Sequence, residues 1–142
     1  MKVYKAKRKG PVPYMIAVLV LLPLVVYSLD VEAFSERPYM LLPLLVPLVL
    51  LLSIFFGTWY KIGDGKLKYR SGFIWGEINI SDIRQLIVGD TMWSGLKPAM
   101  ASKGIIVKYY RYDEIYIAPE NNEELIEDLK VLNPSIEVVY KK

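Results

Sequence analysis

Residues 38–70 read PYMLLPLLVPLVLLLSIFFGTWYKIGDGKLKYR, and the change of pattern inside this stretch decides the architecture. From Pro38 to Tyr60 there is no charged residue. These 23 residues make about 34 Å of helix at roughly 1.5 Å per residue, enough to cross a bilayer. Beyond Lys61 the apolar positions fall into alternation. Tyr60 and Ile62 precede Gly63-Asp64-Gly65, a turn able to supply positive φ, and Leu67 and Tyr69 follow it, which predicts a β-hairpin. An apolar helix runs straight into a β domain.

Toward the N-terminus the run from Gly10 to Leu29 is also uncharged, and Tyr14 to Leu29 is almost wholly apolar. A cleavable signal peptide would fit the preceding basic residues, but Val31-Glu32-Ala33 followed by Phe34 is a poor cleavage site and the next apolar run begins almost at once. A transmembrane hairpin over 14–60, with spans 14–29 and 39–60 joined by Asp30 to Pro38, is the better reading. It accounts for a hydrophobic content of 54%, above the roughly 45 to 50% usual for soluble chains. Lys2, Lys5, Lys7, Arg8 and Lys9 lie in the basic N-terminus (1–13), and Lys61, Lys66, Lys68 and Arg70 follow the second span, whereas the connector has only Arg37. The excess of basic residues at both ends predicts a multi-pass protein of the cell membrane with N- and C-termini cytoplasmic. Tyr14 and Trp59-Tyr60 are expected near the inner interface, and Tyr27 and Tyr39 near the outer one.

Inside the spans the polar side chains are Ser28, Ser53 and Thr58, with no ionisable group of the kind a proton or ion path requires. Pro23, Pro43 and Pro47 are expected to bend the helices, Pro43 and Pro47 on one shared face.

The remainder, 61–142, carries twelve basic and twelve acidic residues. After the hairpin, Phe73 to Ile80 and Ile83 to Val88 read as strands, Gly89 to Gly104 as a loop, and Ile105 to Tyr110 and Glu114 to Ala118 as a second strand pair about a turn at Arg111 to Asp113. Pro119 ends this pattern. Asn121 or Asn122 can cap a helix whose first turns hold Glu123, Glu124, Glu127 and Asp128, with Leu125, Leu129 and Leu132 as its apolar stripe. Asn133-Pro134 stops the helix, and Ser135 to Tyr140 reads as a last short strand. The fold class is therefore a two-helix transmembrane hairpin followed by an α+β, mainly antiparallel β, domain with a C-terminal amphipathic helix.

The segment from Trp59 to Ile136 resembles the small bacterial pleckstrin-homology (PH-like) domain family that occurs behind membrane helices and includes immunity proteins against sublancin-type bacteriocins. The resemblance lies in Trp59-Tyr60-Lys61-Ile62 with Gly65-Lys66-Leu67, Ile78-Asn79-Ile80 with Asp82-Ile83, Lys97-Pro98-Ala99, Ile105 to Tyr109, Ile115-Tyr116-Ile117-Ala118-Pro119, the helix through Leu129, and Asn133-Pro134. It implies a PH-like fold for 61–142 and a role in bacteriocin immunity.

The chain has no Cys and no His. That removes thiolate and imidazole nucleophiles, bases and metal ligands, while the acids cluster in a turn and on the amino end of a helix, so no catalytic residue, metal site or cofactor is expected. The charge balance of 61–142 also argues against nucleic acid. Lys66, Lys68 and Arg70 alternate along one strand face and form the candidate lipid-binding residues, each able to contribute about 1 kcal/mol beside an anionic leaflet. The functional expectation is a non-enzymatic membrane-anchored interaction module, its partners being membrane lipids through two spans and an unknown protein partner. The alternatives are an accessory or regulatory subunit of a membrane transporter complex and a sensor of anionic lipid at the inner leaflet.

Overall fold

A computed structural model describes residues 1–142. The hairpin about Asp64-Gly65 forms as expected: β2 (Trp59–Gly63) pairs antiparallel with β3 (Lys66–Ser71), Gly63 opposite Lys66. Asp64 at φ 56° and Gly65 at φ 71° close the two-residue loop, whose left-handed residues match the twist of the flanking strands.

The first element departs from expectation. Residues 1–13 do not form only a basic tail: Lys2–Lys5 is a strand, β1, whose partner is β2, with Lys5 opposite Trp59 and Lys2 opposite Ile62. Tyr4 and Ala6 are buried, and Ala6 bridges to Pro119. The two long helices are thus inserted between consecutive strands of one sheet. Helix α1 (Val12–Leu29) starts two residues before the expected span, Pro13 occupying its first turn where a missing N–H costs nothing. The connector holds a short helix, α2 (Val31–Glu36), capped by the Asp30 side chain, which accepts from the Ala33 N–H at 3.0 Å.

The second span also differs in detail. A 3₁₀ turn at Pro38–Leu41 leads into α3 (Leu42–Gly57), and Trp59 and Tyr60 belong to β2 instead of the helix end. Gly57 and the extended Thr58 stop the helix, and the Thr58 hydroxyl takes up the Ile54 carbonyl. Both α1 and 38–57 are long and apolar enough to cross a membrane, and neither contains a buried residue.

After β3 come β4 (Ile74–Asn79), a 3₁₀ turn at Ile80–Asp82, β5 (Ile83–Val88), β6 (Ile105–Tyr109) and β7 (Asp113–Ile117). Helix α4 (Asn122–Leu132) is capped by Asn121, whose side chain accepts from the Glu124 N–H. Its buried residues are Leu125, Ile126 and Leu129, while Leu132 is exposed, so the apolar stripe is rotated toward Ile126 relative to the sequence expectation. The last strand, β8 (Glu137–Tyr140), lies parallel to β5. Two four-stranded sheets result, ordered β1-β2-β3-β4 and β7-β6-β5-β8, and all other pairings are antiparallel. A core of twenty buried residues, including Tyr60, Leu67, Ile78, Leu86, Val107, Ile115, Leu125 and Leu129, joins the sheets and α4.

Candidate functional site

Alternation along the first sheet sends Tyr4, Tyr60, Tyr69 and Ile78 into the core. The intervening residues make the outer face, and the strand register orders them in rows. Lys5, Trp59, Arg70 and Trp75 stand side by side across four strands, and Val3, Lys61, Lys68 and Glu77 form the next row. A shallow depression on this face is lined by Trp59, Lys68, Arg70, Trp75 and Glu77.

The three residues expected to bind lipid share this face but not one environment. Lys66 donates to Glu77, and that bond raises the Lys66 pKa and lowers that of Glu77. Lys68 lies opposite the same carboxylate. Arg70 sits between Trp59 and Trp75, with its Nε donating to the Gly72 carbonyl at 3.2 Å. Lys66 and Arg70 are about 13 Å apart along the strand at roughly 3.3 Å per residue. Only the Arg70 end adjoins α3.

Several contacts tie that end of the domain to the helices. The Thr58 and Ser71 hydroxyls share a buried hydrogen bond of 2.9 Å. Gly72, at φ +61°, packs against α3 so closely that a Cβ there would lie 3.0 Å from both the Ile54 and Ser53 side chains. Gly10 abuts the Met100 carbonyl, where a Cβ would come within 2.1 Å. The Arg8 guanidinium lies 5.1 Å from the Phe55 ring centroid and 5.9 Å from that of Phe56.

Two tyrosines pin the 89–104 loop at the same end. The Tyr60 hydroxyl donates to the Pro98 carbonyl at 2.7 Å and accepts from the Ala118 N–H at 3.1 Å. The Tyr116 hydroxyl donates to the Ala101 carbonyl at 2.6 Å and accepts from the Gly104 N–H at 2.9 Å. Burial pushes both phenol pKa values up, so the hydroxyls keep their protons and donate.

At the opposite end, the β6–β7 turn helps form a polar groove lined by Arg84, Lys108, Tyr110, Arg111, Tyr112 and Glu137. Neither Arg84 nor Arg111 has a carboxylate partner. No group of three or more acidic side chains forms a metal cage.

The pattern of the bacterial PH domain family matches residues 58–133, more than half of the chain. The chain belongs to the bacterial PH domain family. Its PH domain is an interaction module of a generally non-catalytic class. The chain is also 29% identical to "Uncharacterized protein YyaB" of Bacillus subtilis (strain 168), over 99% of this chain and 98% of that protein, so the likeness extends over β1 and both long helices. No solved structure matches. The immunity role implied by the sequence resemblance gains no support from these matches.

Sequence reading overlooked Lys5, Trp59 and Trp75 as neighbours of Arg70. The first carried a usable signal: Tyr4 and Ala6 alternate with Lys5 and Lys7, the period of a strand. Phe73 and Trp75 carried none, because an apolar run ordinarily means core, and here they are 65% and 78% exposed.

Proposed function

We propose that this chain is a non-enzymatic, membrane-anchored interaction module whose two long helices hold the PH domain against the cytoplasmic leaflet. The observation that carries this reading is the insertion of the helices between β1 and β2. A domain appended to a single linker could swing freely. This one is attached on both sides of the hairpin, at Gly10 and at Thr58, and each attachment is packed against the domain. The basic residues of 1–13 and of β2 and β3 then share one side, and the connector with Asp30, Glu32, Glu36 and a single basic residue, Arg37, occupies the other, which favours the cytoplasmic side for both termini.

Lipids are one partner, through the two spans and through Arg70 and Lys68. A protein partner fits the polar groove at the β6–β7 turn, where Arg84 and Arg111, without salt bridges, stand among tyrosine rings and the carboxylates of Asp113, Glu114 and Glu137. The even charge balance gives nucleic acid no footprint. Bacteriocin immunity and service as an accessory subunit of a transporter are narrower versions of the same role, separated by deleting the gene and assaying peptide sensitivity, or by isolating a stoichiometric membrane partner with the helices alone.

The absence of native cysteine makes the topology directly testable. A membrane-impermeant maleimide applied to intact cells should label Ser35→Cys in the connector and not Tyr112→Cys at the far end of the domain. The reverse pattern would overturn the orientation, and labelling of both would overturn the spans.

A further inference from the structure

We propose that the tip joining β3 to β4, Ser71 to Trp75, is a wedge seated in the lipid interface beside the last turn of α3, with Arg70 and Arg8 placed on phospholipid phosphates. The proposal rests on the reading that α3 crosses the membrane.

Gly72 packs on Ser53 and Ile54, and Ile54 is three residues before the helix end, about 4.5 Å back along the axis at roughly 1.5 Å per residue. The tip therefore reaches past the helix terminus toward the span. It cannot withdraw, because Gly72 is in close contact with α3 and the Ser71 hydroxyl is bonded to Thr58. A soluble partner would have to enter the interface to meet it, whereas lipid is already there.

Phe73, Ile74 and Trp75 are 65%, 46% and 78% exposed, three consecutive large apolar side chains left bare. Phe73 is in the turn itself, Trp75 points to the outer face, and Ile74, although on the core side, lies beyond the core cluster. In water such a patch is an aggregation hazard, but at a bilayer interface aromatic rings are favoured.

Polar chemistry completes the site. Arg70 spends its Nε on the Gly72 carbonyl, and its terminal nitrogens have no protein partner. Arg8 lies over the Phe55 and Phe56 rings without a carboxylate. Two guanidinium groups thus stand at the last turn of α3, Arg70 at the base of the tip and Arg8 over Phe55 and Phe56, and their planar forks suit phosphate. Lys66, neutralised by Glu77 at the other end of the strand, takes no part.

The experiment uses the full chain reconstituted in phosphatidylethanolamine–phosphatidylglycerol vesicles, carrying a single environment-sensitive fluorophore at Phe73→Cys or, as the aqueous control, at Tyr112→Cys. The Phe73 probe should emit at shorter wavelength, be quenched several-fold more than the Tyr112 probe by lipids spin-labelled near the headgroup, and be several-fold less sensitive to aqueous iodide. Equal iodide quenching at the two sites would overturn the wedge. Shielding from both quenchers would also overturn it, by showing a protein, such as a second copy, on the tip. Because Ser35→Cys and Tyr112→Cys report topology separately, failure of the wedge and failure of the spanning reading give different results.

Discussion

Replacing Tyr60 by Phe isolates one atom of the fold. The ring of Tyr60 is fully buried and stays in the variant, so the apolar burial term is almost unchanged. What disappears is a hydroxyl that joins the Pro98 carbonyl to the Ala118 N–H, and neither group has another partner. Each stranded group loses about 1–3 kcal/mol of hydrogen-bonding free energy, partly offset by no longer burying the hydroxyl, which leaves a net destabilisation of about 1–3 kcal/mol. Urea unfolding of the full chain in detergent micelles, followed by far-UV circular dichroism of the β domain, should show a lower midpoint with an unchanged slope. At a slope of about 1–1.5 kcal/mol per molar urea, the shift is on the order of 1–2 M. The Ala118 amide should in parallel exchange its hydrogen much faster. A midpoint shift corresponding to less than about 0.5 kcal/mol, together with continued protection of Ala118, would refute the claim that this hydroxyl pins the loop.

Two further outcomes follow from the strand that precedes the helices. Tyr4→Ala removes a buried ring from the sheet and should cost about 3 kcal/mol in the same unfolding experiment, while a cost below about 1 kcal/mol would mean that β1 is not part of the folded core. The Lys2 ammonium, bonded at 2.7 Å, and the Tyr4 hydroxyl hold Asp128 below the ordinary carboxylate range. Its contribution to docking β1 on α4 is therefore present in full above the unfolded value near 3.8 and is lost as pH falls through the lower folded value. Asp128→Asn should accordingly lower the unfolding midpoint at pH 6 and make no difference in strong acid. A difference that persists unchanged at pH 2 would refute that assignment.

What the chain determined by itself was local. Uninterrupted apolar runs set the two long helices, Asp64-Gly65 set a turn that needs left-handed residues, and Asn121 with its following acids set the start of α4, because each signal lies within a few residues of its effect. Three features depended on residues far away. Alternation about Tyr4 and Ala6 hints at a strand, but Lys2–Lys5 becomes one only because β2, beyond the inserted helices, offers it an edge, and so short a pattern does not name that partner. Trp59 and Tyr60 continue an apolar run in sequence, yet the backbone leaves the helix at Thr58 and the two rings part, Tyr60 into the core and Trp59 onto the outer face beside Arg70. Lys66, Lys68 and Arg70 were legible as one strand face, but only cross-strand register decided that Lys66 is spent on Glu77 while Arg70, bonded through Nε to the Gly72 carbonyl, keeps its terminal nitrogens unpaired beside the helix end. Periodicity reports which way a side chain points. What it meets there is a property of packing, and for Phe73, Ile74 and Trp75 packing left three apolar side chains bare where an apolar run ordinarily means burial.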